Sequence, residues 1–104
     1  MEKRMPDLSD TGISELVISE IREFAKQYGV AKVILFGSRA RGDFHRTSDI
    51  DLAVSGGRFS PFALDVDEET GTLLEFDIIN LDGMMEQAFR ETIQREGRIL
   101  YERV

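Results

Sequence analysis

The residues best suited to chemistry lie close together in the chain. A Gly37-Ser38 pair is followed, after ten intervening residues, by two acidic residues, Asp49 and Asp51. The stretch 49–54 alternates as a strand does, which places both carboxylates on one face. Carboxylates one pleat apart repel each other unless a cation lies between them, and oxygen ligands of this kind suit Mg²⁺ or Mn²⁺. The spacing therefore predicts a divalent-metal site.

The Gly-Ser pair follows a strong strand signal. The run 30–36 is apolar and rich in β-branched residues, which predicts a central strand buried on both faces. Gly37 lets the backbone turn, and Ser38 can cap a short helix, 38–41, whose free N–H groups point into the turn. Because such a turn binds phosphate well, Gly37 and Ser38 are candidate phosphate ligands.

Three arginines follow the turn. Arg39, Arg41 and Arg46 lie within reach of it, and guanidinium groups pair well with phosphate oxygens. For each of them, exposure to solvent or pairing with a neighbouring carboxylate is an equal alternative. Arg39 is the preferred phosphate ligand, with Arg41 beside it.

Joined at this spacing, the two motifs resemble the signature of the DNA polymerase β-like nucleotidyltransferase superfamily. Within it, the short chain is most similar to the minimal nucleotidyltransferases, which implies a nucleotidyltransferase fold. The resemblance is carried by the segments 37–42 (GSRARG), 47–52 (TSDIDL), 72–82 and 96–102.

The resemblance also implies a third acidic residue on the next strand, which the pattern predicts over 73–81. Asp77, followed by two isoleucines, matches that position. Glu75 lies on the same face of the predicted strand and is the alternative. A charged residue inside so apolar a strand is costly unless it is used.

An activity follows from the same resemblance. It implies transfer of a nucleoside monophosphate, first of all AMP from ATP, to a hydroxyl group. Asp49, Asp51 and Asp77 would be catalytic ligands of two Mg²⁺ ions, and the Gly37-Ser38 turn with Arg39 and Arg41 would bind the nucleotide. The family implies an MntA-type antitoxin that adenylylates a tyrosine of a HEPN-domain toxin.

Composition limits the alternatives. A chain of 104 residues allows one domain with a single core and no second substrate-binding lobe, so the acceptor should be brought by another chain. There are no cysteines and one histidine, His45, which leaves almost nothing for a zinc cluster or a histidine-dependent triad. With 41% hydrophobic and 32% charged residues and no long apolar run, we expect a cytoplasmic protein with no membrane attachment.

The net charge of −7 bears on partners. Proteins that grip nucleic acid use clustered Lys and Arg, so a long nucleic acid is not the expected substrate. The same acidity suits docking on a basic, RNA-binding protein surface.

Alternating helix and strand patterns predict an α+β fold, α/β-like in its order, with a small mixed sheet and helices packed against it. Residues 1–10 show no periodicity and are expected to be irregular. Asp10 or Thr11 should cap a first helix that ends near Gly29. The stretch 60–71 fits a helix better than a strand. The remaining elements are a helix opened by Asp82-Gly83 and ended by Gly97, and a terminal strand, 98–102.

Two other functions stay open at this level. The chain could neutralise a partner by covering it, with an idle acidic face, or could modify a small molecule. The base of the nucleotide, the acceptor and any self-association are not encoded in a pattern that we can interpret.

Overall fold

Four strands form one mixed sheet in the computed structural model, which describes residues 7–103. The strand order is β3-β2-β1-β4. A 3₁₀ turn, Ser9–Thr11, precedes the elements, which are α1 (Glu15–Gln27), β1 (Lys32–Phe36), α2 (Ser38–Arg41), β2 (Ile50–Ser55), α3 (Phe59–Glu69), β3 (Phe76–Asn80), α4 (Gln87–Glu96) and β4 (Arg98–Glu102). This α+β architecture with a mixed sheet confirms the predicted fold class.

The predicted central strand is confirmed. β1 lies between β2 and β4 and pairs antiparallel with both, and its apolar side chains are buried on alternate faces of the sheet. β2 pairs parallel with β3 at the edge of the sheet. Parallel neighbours need a crossover connection, and α3 supplies it.

The two faces of the sheet carry cores of different size. Helices α1 and α3 pack on one face, where Val33, Leu35 and Leu52 meet Ile21 and Phe62 in the main core. The other face holds a small cluster under α4. Its buried members are Ile34, Ala53 and Ile93, with Phe36, Ile79, Leu81 and Met85 packed partly exposed around them.

The start of α1 differs from the prediction. Its cap is Ser14, whose Oγ accepts a hydrogen bond from the Val17 N–H at 3.2 Å, rather than Asp10 or Thr11. Those two residues belong instead to the 3₁₀ turn, where the Thr11 hydroxyl donates to the Leu8 carbonyl at 2.7 Å. Leu8 is buried, so the last part of the supposedly irregular 1–10 segment packs on the core, and residues 1–6 of that prediction lie outside the described part.

The limits of the other helices and strands can also be compared with the prediction. The predicted helix over 60–71 is confirmed as α3, and Gly29 follows α1 with the expected positive φ of 67°. β3 begins at Phe76, three residues later than predicted, because its partner β2 offers no residue before Ile50 to pair with. Leu73 is accordingly exposed in a loop.

The last helix begins at Gln87, well after the Asp82-Gly83 pair that was expected to open it. The Asp82 carboxylate is used elsewhere, because it accepts a hydrogen bond from the Gly56 N–H at 2.7 Å. The Gly83 N–H donates to the Asn80 carbonyl at 3.2 Å, which closes a turn directly after β3. Among residues 7–103, no helix has the length and apolarity that a membrane span requires.

Candidate active site

The strand registers bring the predicted motifs to one place. Phe36, the last residue of β1, pairs with Asp51 across the β1–β2 hairpin. On the other side of β2, Asp51 pairs with Asp77 of β3. Neighbouring strands lie about 4.8 Å apart, so the turn after Phe36 and both carboxylates occupy one small area at the edge of the α4 face.

Gly37 is required by its contact with Asp51. Its φ of +75° is a conformation that other residues rarely adopt, and a Cβ on it would overlap the Asp51 Oδ2 atom. The carboxylate therefore lies directly against the turn. Gly37, rather than the predicted Ser38, is the residue that precedes α2, and its carbonyl accepts hydrogen bonds from the Ala40 and Arg41 N–H groups at 3.1 Å each. The Ser38 and Arg39 N–H groups precede these bonds and so have no partner within the helix.

The Asp51 carboxylate is affected by the other two acids. Partial burial raises the pKa of Asp51 above its ordinary value, and the negative charges of Asp77 and Asp49 raise it further. The Arg41 guanidinium opposes this rise. Asp49 and Asp77 are exposed, whereas Asp51 is half-buried between them and the turn. The charges of Asp49 and Asp77 therefore act on Asp51, which places the three acids in one electrostatic group.

Glu75, the alternative third acid, lies outside this group. It precedes β3, and its carbonyl accepts a hydrogen bond from the Ile50 N–H at 2.9 Å. Glu75 has no part in the shifted pKa of Asp51, whereas Asp77 does. The geometry thus favours Asp77 as the third acid.

The donor set fits a divalent cation in its chemistry. Three carboxylates supply hard oxygen ligands and leave coordination positions for water and phosphate, as Mg²⁺ prefers. Within the described part of the chain, no three acidic or imidazole side chains already converge as a closed ligand cluster. Asp51 and Asp77 are paired in adjacent strands, so these two carboxylates can approach each other by rotation of their side chains.

The two candidate arginines of the turn occupy different environments. Arg39 is 1% exposed, and its guanidinium donates to the carbonyls of Ser48, Thr11 and Arg46. Because the guanidinium is buried and three of its five N–H groups are already used, Arg39 is not available to a phosphate in this conformation. Arg41 is exposed, donates to Asp43 at 3.3 Å and carries the positive charge that acts on Asp51. Of the two, Arg41 is the one beside the acids.

No sequence signal separates these two arginines. They lie two residues apart in the same four-residue helix. What distinguishes them is that Thr11 and the loop after the helix pack against the buried Arg39. Sequence reasoning also missed Gly12. Its φ is +72°, and a Cβ there would meet the Phe44 ring and the Arg39 Nη1 atom.

A short helix after a glycine turn, two acids in register on adjacent strands and a mixed sheet are features of a nucleotidyltransferase domain. The chain belongs to the polymerase beta nucleotidyltransferase family, whose model, described as "Polymerase beta, Nucleotidyltransferase", matches residues 19–104. Over 82 residues it is 32% identical to "Putative protein adenylyltransferase MJ0604" of Methanocaldococcus jannaschii, which covers 69% of this chain and 79% of that protein.

Two solved structures share the fold. One is "Crystal structure of the toxin-antitoxin with AMP-PNP", with a TM-score of 0.66 and 20% identity, and it covers 83% of this chain and 73% of that one. The second is a mutant of the toxin-antitoxin MntA-HpeT, with a TM-score of 0.65, 17% identity and the same coverage. At these identities the likeness establishes a shared fold.

Proposed function

We propose that this chain transfers a nucleoside monophosphate, with AMP from ATP as the first candidate, to a hydroxyl group of a partner protein. One observation carries the proposal: the Gly37 turn, Asp51 and Asp77 lie side by side through the registers of two strand pairs. Phosphoryl-type transfer depends mainly on positioning and charge neutralisation, and this arrangement supplies groups for both.

Asp49, Asp51 and Asp77 are the proposed ligands of Mg²⁺, two ions in the family's usual arrangement, with Mn²⁺ as a substitute. Such ions, when bound, offset the charge on the attacking and leaving oxygens. The Gly37-Ser38 amides would bind the β- and γ-phosphates, and the exposed Arg41 guanidinium would add positive charge beside them.

The transfer itself is a displacement at the α-phosphorus. The acceptor oxygen forms a bond to phosphorus, the bond from phosphorus to the β-phosphate oxygen breaks, and pyrophosphate leaves. Asp77 is exposed and is the proposed base that takes the proton of the acceptor hydroxyl. Asp51, half-buried beside the turn, stays with the donor nucleotide.

The acceptor is proposed to be a tyrosine of a HEPN-domain toxin, which makes this chain its antitoxin. Three points support this: the name of the Methanocaldococcus relative, the toxin-antitoxin assemblies that share the fold, and the net charge of −7. A strongly acidic protein is steered toward a basic surface such as an RNase presents.

The test uses the chain with the partner that co-purifies from its native cell. With Mg²⁺ and ATP labelled at the α-phosphate, wild type should label the partner and add one AMP to its intact mass. The Asp49→Ala, Asp51→Ala double variant should lose the label. Asp77→Ala should lose it as well, whereas Glu75→Ala, an exposed acid one pleat before the site, should keep it.

The alternative of a covering protein gives a different result. If the double variant protects cells from the partner as well as wild type does, binding alone is sufficient and catalysis is not the function. Equal labelling by wild type and double variant would contradict the proposed site.

A further inference from the structure

The buried arginine Arg39 has no assigned role in nucleotide binding once its contacts are known. We propose that Arg39 is a positioning residue, which sets the direction of the Asp49 carboxylate by holding the backbone of the loop before it. This role rests on the proposed function for its catalytic consequence. Its structural part can be tested alone.

The loop in question, 42–48, connects α2 to β2 and ends at Asp49. Most of its side chains are exposed. Its own hydrogen bonds are few: the Ser48 N–H donates to the His45 carbonyl at 3.1 Å, and the His45 N–H donates to the Ser48 Oγ at 2.8 Å. A loop of this kind needs an anchor if the residue at its end is to keep one orientation.

The buried Arg39 guanidinium is that anchor. Its Nε donates to the Ser48 carbonyl at 3.0 Å and its Nη2 donates to the Arg46 carbonyl at 3.1 Å, so both bonds hold the loop backbone. The Phe44 ring lies against the guanidinium, 4.8 Å from its carbon to the ring centroid. Three successive parts of the loop therefore contact a single side chain.

The Ser48 carbonyl is the decisive contact. It belongs to the peptide group that joins Ser48 to Asp49, and peptide groups are planar. A hydrogen bond to this oxygen restrains the plane that precedes the Asp49 Cα atom. The Ile50 N–H donates to the Glu75 carbonyl at 2.9 Å and restrains the plane that follows it, so the two bonds together set the direction of the Asp49 Cα–Cβ bond. Arg39 thus acts on the metal-ligating residue without touching metal or nucleotide.

The anchor is itself held by the N-terminal turn. The Arg39 Nη1 donates to the Thr11 carbonyl at 2.9 Å. Gly12 allows this close approach, because a Cβ there would lie 2.8 Å from Nη1. A buried cation needs hydrogen bonds at several donors, and the guanidinium meets three carbonyls in different directions. A lysine ammonium cannot reproduce that planar fork, so Arg39→Lys should remove the function while keeping the charge.

Arg98 offers a matched control. Its guanidinium binds the same N-terminal turn, through the Asp10 carboxylate at 2.8 Å and the Asp7 carbonyl at 2.9 Å. It has no hydrogen bond to the loop in the described residues. Arg98→Lys should therefore loosen the turn and leave Asp49 in place.

The experiment measures Mn²⁺ affinity by electron paramagnetic resonance and amide hydrogen exchange of Ser48, both without nucleotide. For Arg39→Lys we expect Mn²⁺ affinity to fall about tenfold, as is usual when support of a metal ligand is lost. Ser48 exchange should accelerate about tenfold while the β2 amides stay protected. Arg98→Lys should change both by less than about twofold. Millimolar guanidinium ion, but not ammonium, should restore Mn²⁺ affinity to Arg39→Ala.

Unchanged Mn²⁺ affinity in Arg39→Lys, or an equal loss in both variants, would overturn the proposal. If Arg39→Ala does not fold, the lysine variant still decides the matter. If wild type binds no Mn²⁺, the metal site of the proposed function fails, whereas Ser48 exchange still reports whether Arg39 holds the loop.

Discussion

The two faces of the sheet differ in how completely their side chains are buried. On the face covered by α1 and α3, strand side chains such as Leu35 and Leu52 are fully buried in the main core. On the face under α4, the buried cluster is small and its surrounding side chains stay partly exposed. Asp51 alternates with the buried Leu52 and so shares this second face with Ala53. One face stabilises the fold, and the thinly covered face leaves room for a polar site.

Truncation of one aromatic residue on each face should show the largest contrast. Phe62 is fully buried on the α1 and α3 face, so Phe62→Ala should lower the free energy of unfolding by about 3–5 kcal/mol. Phe89 on α4 is 41% exposed and packs edge-on against Phe36 at 5.8 Å, so Phe89→Ala should cost under about 1.5 kcal/mol. Urea unfolding measures both, and equal costs would mean that the faces do not differ in this way.

A comparison of two Gly→Ala substitutions, at Gly37 and Gly42, separates the effect of backbone strain from damage to the site. Gly42 has a left-handed helical backbone, with φ 95° and ψ 5°, so Gly42→Ala should cost about 1–2 kcal/mol. Gly37, with φ 75° and ψ −158°, is in a region almost confined to glycine, so Gly37→Ala should cost at least as much. Only the Cβ of Gly37→Ala would displace the Asp51 carboxylate, since a Cβ at Gly42 meets open space. Gly37→Ala should thus lose Mn²⁺ binding and Gly42→Ala should keep it. Retained Mn²⁺ binding in Gly37→Ala would show that the close contact is not needed.

Asp51 should weaken the metal-free fold. Its pKa is raised above the ordinary value of 3.8, so between the two pKa values the folded state binds more protons than the unfolded state. Stability therefore falls as pH rises through that window, and the deficit persists at neutral pH. With a chelator at pH 7, Asp51→Asn should melt a few degrees above wild type. The difference should vanish below about pH 3, and a variant that melts lower at pH 7 would contradict the cause given for the shift.

The smallest effect is expected from a polar contact on the well-packed side. The Tyr28 hydroxyl donates to the Asp65 carboxylate, which links the end of α1 to α3 and raises the Tyr28 pKa. Tyr28→Phe should lower the melting temperature less than Phe89→Ala does and leave Mn²⁺ binding unchanged. A loss of Mn²⁺ binding in Tyr28→Phe would show that the two faces are coupled.

Local patterns predicted the parts of the fold that depend on local physics. The apolar run before Gly37 was sufficient to predict the central strand, and the alternation around Asp51 was sufficient to place Asp51 opposite the buried Leu52. Asp49 was expected on the same strand, but β2 begins one residue later, at Ile50. The start of α4 was missed because Asp82 bonds to Gly56, a residue distant in sequence. The burial of Arg39 depends on Thr11 in the same way. Hydrogen bonds between residues distant in sequence do not alter the hydrophobic periodicity of the chain, so they cannot be predicted from it.

The site residues themselves are tested most directly by a crystal structure of the chain with Mn²⁺ and a non-hydrolysable ATP analogue. We predict anomalous density for Mn²⁺ within about 2.2 Å of carboxylate oxygens of Asp49 and Asp51, with Asp77 turned toward it. The β- and γ-phosphates should lie at the Gly37-Ser38 turn. Mn²⁺ bound elsewhere, or a nucleotide bound away from these carboxylates, would contradict the account.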